Sequence, residues 1–223
     1  MSGSEDPVEA ISQRLDNFVT AQRALTADLG AEAGLLIESA AAALDGGKRL
    51  RGRFCLAGWR AVAHATNPGA AAPGPVVTAA AALEVFHAAA LVHDDVIDNS
   101  DTRRGRPAAH RALEGAHLET GWVGDAAAFG RSSAILLGDL LVAWSDDLLE
   151  EGLAEASPPQ AAAARREYAA MRREVTIGQF LDIAEESAFR TEPDERHADR
   201  ALRVASYKSA RYSVQQPLSL IHI

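Results

Sequence analysis

Alanine interleaved with Leu, Glu and Arg fills almost the whole chain, and β-branched runs bounded by turns are scarce. That texture favours helix nearly everywhere and leaves little material for a sheet. Start signals agree. Asp6-Pro7-Val8-Glu9 offers a cap acceptor, Pro at the first helical position and a carboxylate in the first turn. Ser157-Pro158-Pro159-Gln160 repeats that logic, and Gly74-Pro75 opens a stretch running to Asp98. The pattern predicts helices near 6–29, 32–45, 48–65, 75–98, 130–156, 159–188 and 194–212. Between 99 and 129 the periodicity fades into Gly, Arg and His, and this stretch reads mainly as loop. No repeat or linker divides the 223 residues, so a single all-α domain is expected.

The charge balance excludes some classes of function. Against 22 Lys and Arg stand 31 Asp and Glu, a net −9, and a chain this acidic is poorly suited to wrapping nucleic acid. The lone Cys55 excludes an internal disulfide framework and a multi-cysteine zinc site, and it fits a reducing compartment. The start, MSGSEDPVEA, is acidic without an apolar core, and Glu84, His87 and Asp139 interrupt the longest apolar stretches. The expectation is a soluble cytoplasmic protein with no membrane span.

The most informative segment is Leu91-Val92-His93-Asp94-Asp95-Val96-Ile97-Asp98. At ~100° per residue, Asp94 and Asp98 fall about 40° apart and Asp95 completes an arc of roughly 100°. Three carboxylates thus crowd one end of an apolar helix. Left bare they repel one another. They are either a solvated acidic end or the ligands of a divalent cation such as Mg²⁺, which takes one or two carboxylates together with phosphate oxygens. The apolar turns that precede them argue for the second.

Directly downstream, Arg103-Arg104-Gly105-Arg106-Pro107 places three guanidiniums on a Gly/Pro turn. This is either a salt-bridged loop or a set of forks for phosphate oxygens. Two clusters in succession, one acidic and one basic, are what holding a diphosphate requires. A second basic segment, Gly46-Gly47-Lys48-Arg49-Leu50-Arg51, is expected to open a helix, with Lys48 and Arg51 on one face at an anion-favouring N-terminus. His87, seven residues before Asp94, falls about 20° from it on the same face. It is either a core histidine or part of that site.

Taken together these segments resemble the trans-isoprenyl diphosphate synthase (polyprenyl synthetase) family, with wording most similar to bacterial geranylgeranyl diphosphate synthases. The resemblance rests on Gly47-Lys48-Arg49-Leu50-Arg51, Asp94-Asp95-x-x-Asp98, Arg103-Arg104-Gly105-x-Pro107, Gly178-Gln179-x-x-Asp182 and Tyr207-Lys208-Ser209. It implies an all-α helical bundle of the isoprenoid synthase type that condenses isopentenyl diphosphate with an allylic diphosphate. It further implies Mg²⁺ as cofactor, held by Asp94 and Asp98 with Asp95 supporting them, and Arg103 on the allylic diphosphate. By the same resemblance Lys48, Arg51, His87 and Arg104 bind the isopentenyl diphosphate, and Lys208 and Ser209 stabilise the departing group. Gln179 and Asp182 line the cavity, and the protein is a homodimer. The residues expected to act in the chemistry are Asp94, Asp98, Arg103 and Lys208. Product length should depend on Ala89 and Ala90, small side chains that leave a channel open, and on Phe86 as the first bulky floor. By resemblance the product has about twenty carbons; Phe86 as simple core is the equal alternative.

The family carries a second aspartate-rich motif downstream of Tyr207-Lys208-Ser209, which this chain lacks, and residues 219–223 do not read as family. The expectation is a synthetase domain over 1–223 whose last helices are missing, with activity weakened or lost. Two alternatives are a non-catalytic or regulatory subunit of a heteromeric prenyl synthase, and a terpene cyclase-like enzyme. A cyclase binds one diphosphate and has no use for the second basic segment; a regulatory subunit has no use for an intact Asp94/Asp95/Asp98 cluster.

Overall fold

A computed structural model describes residues 6–63 and 71–220. Helix α1 (Pro7–Thr26) is followed by a single 3₁₀ turn, then by α2 (Ala31–Leu44), α3 (Leu50–Ala63) and α4 (Gly74–Ile97). A two-stranded ribbon, β1 (Thr102–Arg103) with β2 (Arg106–Pro107), leads into α5 (Ala109–Glu119), α6 (Ala126–Leu153) and α7 (Pro158–Ala188). The chain continues through α8 (Asp194–Val204), a π-helix (Ala205–Gln215) and a last turn α9 (Gln216–Ser219). The all-α expectation holds. The caps are those the sequence announces: α1 begins at Pro7, and α7 begins at Pro158, where Gln160 Oε1 accepts from the Ser157 backbone N–H at 3.3 Å. The predicted end of the third helix, at 65, and positions 221–223 lie outside the described residues.

The described residues divide into two compact units. One comprises residues 8–49 and 81–151. Its core is an apolar stripe of α1 (Ile11, Leu15, Phe18) against α2 (Ile37, Ala40), the Ala81–Val92 stretch of α4, and Leu137, Leu141 and Leu148 of α6. Phe18 and Trp144 meet edge to face with centroids 5.5 Å apart. Helix α6 lies very close on its neighbours. A Cβ on Gly130 would stand 2.3 Å from the His110 carbonyl oxygen, and one on Gly138 would stand 2.1 Å from His93 Nε2. At Gly130 the obstacle is backbone and only hydrogen fits; at Gly138 a methyl group would displace the His93 ring.

The other unit comprises residues up to 7, 50–80 and 152 onward. Cys55 and Leu56 of α3, Tyr168, Met171 and Val175 of α7, and Tyr212, Pro217 and Leu220 at the end of the chain form its core. Gly58 of α3 faces the Leu218 carbonyl, where a Cβ would stand 2.5 Å away.

Two elements differ from the sequence expectation. Within the stretch read as loop, α5 forms with His110, Leu113 and His117 as its buried stripe. The spacing is helical, but two of the three inward positions are histidines, so the apolar period is masked. The helix predicted to end near 212 changes from α to π geometry at Ala205 and runs to Ser219. Both α4 and α6 are long and apolar enough to cross a membrane by length and composition alone. In α4 most of the apolar window is packed inside the protein; in α6 only 28% is, and Ile135 and Leu136 are exposed.

Candidate active site

Helix α4 ends in a Schellman motif. The Ser100 N–H donates to the Asp95 carbonyl at 2.9 Å, the Asn99 N–H donates to the Val96 carbonyl at 3.3 Å, and Asn99 takes φ +49°. Asp94, Asp95 and Asp98 therefore sit at the negative end of the helix dipole, where carboxylates are disfavoured and cations welcome. Something positive must offset three acids there. Among the described residues Arg103 does so: its Nε donates to both Asp95 oxygens at 3.0 and 3.1 Å and its Nη2 contacts Asp95 and, at 3.7 Å, Asp94. Asp95 is 2% exposed and Arg103 half-buried. The hydrogen bond to Asp95 raises the guanidinium pKa, and the charges of Asp94 and Asp98 add to it. Asp94 is half-buried and Asp98 exposed. With half-buried His87 they form one stripe, about 80° around α4 from Asp95.

The ribbon explains how three neighbouring arginines serve different partners. Arg104 and Gly105 take φ +53° and +76°, the positive angles at both centres that mark a type I′ hairpin. The turn sends Arg103 to Asp95. Arg104 goes to the Asp45 carbonyl at 2.9 Å, with its guanidinium over Gly47, and Arg106 goes to the Asp45 carboxylate at 2.8 Å. Exposed Lys48 follows Gly47 directly, so the structure brings Lys48 and Arg104 to the same corner.

One expectation is corrected here. Lys48 and Arg51 do not share a helix face, because Arg49 takes φ +50° and α3 starts only at Leu50. Lys48 belongs to the unit containing Asp94 and Asp98, and Arg51 to the other. Arg51 Nη2 donates to Ser213 Oγ at 2.7 Å and its guanidinium lies 4.2 Å from the Tyr212 ring centroid.

In that second unit, Gln179 and Asp182 are half-buried on α7, and Asp182 Oδ2 accepts from Lys208 Nζ at 2.5 Å. Lys208 rides on the π-helix, with Ser209 exposed beside it. The π-helix packs on α7 at Gly178, where a Cβ would stand 2.4 Å from the Lys208 amide nitrogen. Of the residues expected to set product length, Ala89 is fully buried, Phe86 is 6% exposed and Ala90 is half-buried.

Sequence reasoning passed over two residues that build this corner. Asp45 anchors two arginines, and its only signal is its place before Gly46-Gly47. Arg49 is 8% exposed; it donates to the Leu44 carbonyl at 2.8 Å, closing the end of α2, and to Ser12 Oγ at 3.4 Å. Burial lowers its pKa, with the charge of Arg104 acting in the same direction. Among the described residues no three His, Cys, Asp or Glu side chains converge tightly enough to enclose a metal by themselves. The donor set of Asp94 and Asp98 still suits Mg²⁺, a hard ion that draws the rest of its shell from water and phosphate oxygens.

Residues 34–223 match the polyprenyl synthetase family. The fold is similar to a crystal structure of geranylgeranyl pyrophosphate synthase from Corynebacterium glutamicum complexed with isoprenyl diphosphate and magnesium. That likeness has a TM-score of 0.83 and 37% identity, over 99% of this chain and 60% of that one. Octaprenyl diphosphate synthase of Escherichia coli K12 is 36% identical over 96 residues, 43% of this chain and 23% of the relative. Geranylgeranyl pyrophosphate synthase 9 of Arabidopsis thaliana is 30% identical over 158 residues, 68% of this chain and 36% of the relative. The matches thus span a quarter to a third of these curated relatives and 60% of the solved synthase. The chain belongs to the polyprenyl synthetase family.

Proposed function

We propose that this chain belongs to a trans-prenyltransferase that joins isopentenyl diphosphate to an allylic diphosphate, with geranylgeranyl diphosphate as the class of product. The activity is that of the full family length, of which this chain spans 60% in the solved synthase. The observation that supports it most is the contact of the arginine hairpin with the acidic end of α4, where Arg103 lies against Asp95 and Asp94.

Asp94 and Asp98 would hold Mg²⁺, which when bound would supply neutralisation of the allylic diphosphate as its C–O bond breaks. Asp95 holds Arg103 beside the stripe, so the guanidinium meets the diphosphate without reorganising. Lys48 and Arg104, gathered at the Gly47 corner, grip the diphosphate of isopentenyl diphosphate, and the part of His87, which lies on the Asp94/Asp98 stripe, rests on the family resemblance. The roles of Arg51, Lys208, Ser209, Gln179 and Asp182 rest on the family resemblance. The double bond of isopentenyl diphosphate attacks the allylic cation to form the new C–C bond, and the resulting cation gives up a proton from the adjacent carbon to the diphosphate that the allylic substrate released. Buried apolar side chains of α4 keep water from the cation, with Phe86 the floor that limits chain growth. A second copy of the chain covers the exposed apolar side of α6.

The test is titration calorimetry of an allylic thiodiphosphate with and without Mg²⁺, for the parent and for Asp94→Asn and Asp98→Asn. Metal-dependent binding that weakens at least ~100-fold in either variant supports the proposal. Binding that is equally tight in EDTA refutes it. Family relatives are prenyl diphosphate synthases, and the regulatory-subunit and cyclase alternatives gain no support from them.

A further inference from the structure

A cavity of about 520 Å³ opens on a different flank of α4 from the carboxylate stripe. Its floor is Ala88, Leu91, Val92 and Asp95; Asp94, Asp98 and His87 are not part of it. Alanines make the side walls, from Ala42 on α2 to Ala112 on α5, so the volume exists because the side chains there are small. It falls within the size range of small-molecule sites, roughly 300–1,000 Å³.

The mouth carries charge, and most of it is already matched. Of the acids in the lining, Asp95 is held by Arg103, the Asp45 carboxylate by Arg106, and Glu38 by Arg23, which stands outside the lining and donates to it twice at 2.7 Å. That leaves Arg104, whose contact is a neutral acceptor, the Asp45 carbonyl. Arg104 is exposed, and its φ of +53° at the hairpin turn aims it across Gly47 at the rim. An apolar body under one cation unmatched by a carboxylate selects an amphipathic anion.

We infer that this cavity is a second ligand site, taking a molecule with an aliphatic or prenyl chain and a phosphate head, the chain against the alanine walls and the head on Arg104. The inference rests on the proposed function only through Arg104, which the isopentenyl diphosphate site shares. An occupant would compete for that side chain without touching Asp94 or Asp98.

The probe is dodecyl phosphate below its micelle concentration, titrated in EDTA into the full chain. Dodecanol and inorganic phosphate serve as controls. Ala42→Phe and Ala112→Phe fill the cavity from exposed rim positions, and Arg104→Gln removes the head contact. Saturable binding at a single site, weakened at least ~10-fold in all three variants and in both controls, supports the inference. Ala42→Phe and Ala112→Phe should keep the parent's Mg²⁺-dependent affinity for the allylic thiodiphosphate and its melting temperature. Equal binding by parent and filled variants, or by dodecanol and dodecyl phosphate, overturns it. Failure of the cavity probe with metal-dependent analogue binding intact sinks this inference alone; the reverse result sinks the proposed function alone.

Discussion

Arg103 and Asp95 form the hinge of the candidate site: a guanidinium on a two-residue strand grips a carboxylate buried at the end of α4. Removing the arginine strands a carboxylate that is only 2% exposed. Arg103→Ala should cost about 2–3 kcal/mol in urea unfolding, the range for an orphaned, partly screened buried charge. Asp95→Asn in the Arg103→Ala background should recover part of that loss. A double-mutant cycle with no coupling would show that the pair is not formed.

The crossing of α7 and the π-helix should be intolerant of a single methyl group. Gly178→Ala forces a Cβ to within 2.4 Å of the Lys208 nitrogen and 2.6 Å of the Tyr207 carbonyl carbon. It is expected to lower stability by about 1–3 kcal/mol. Gly115→Ala, in an α5 position with nothing within 4 Å, should instead raise it by roughly 0.5–1 kcal/mol. Thermal melts of the two variants moving in the same direction would contradict this packing.

His110 is 1% exposed with neither ring nitrogen hydrogen-bonded, and burial lowers its pKa below the ordinary 6.5. Arg111 lowers it further, against Asp95, Glu114 and Asp101. A folded pKa below the unfolded one means that the unfolded chain takes up the proton first. The stabilising contribution is present above pH 6.5 and is lost as the pH falls toward the folded value. His110→Leu should flatten that part of the stability-versus-pH curve, measured by denaturant melts from pH 7.5 down to about 5. An unchanged slope would assign the acid sensitivity to other groups.

Cys55 is fully buried on α3, and burial drives its thiol pKa far upward. It should resist iodoacetamide at pH 8 in the native protein and react at the rate of a free thiol in urea. The raised folded pKa also sets a sign: this contribution is intact below the ordinary thiol pKa and fades as the pH climbs above it. Rapid native labelling would place Cys55 at the surface.

Much of this protein was legible in one dimension. The helices of α1, α2, α4 and α7 follow from alanine-rich periodicity and from Pro and Ser caps, which act within a few residues. The acid stripe also follows, since residues seven and eleven apart on a continuous helix must share a face. The helix α5 is hidden because two of its three inward positions, His110 and His117, are histidines, whose burial depends on neighbours from α6 rather than on their own polarity.

What the linear order could not decide was the partner of each charge. Arg103, Arg104 and Arg106 read as one basic cluster, yet a type I′ turn, set by two positive φ angles, sends them to Asp95, the Asp45 carbonyl and the Asp45 carboxylate. Likewise Lys48 and Arg51 read as one helix face until the backbone at Arg49 turns left-handed and starts the helix after it. Periodicity is a property of neighbours along the chain and survives in the sequence. Charge pairing and the cavity beside α4 depend on segments brought together from far apart, and only the folded chain settles which groups meet.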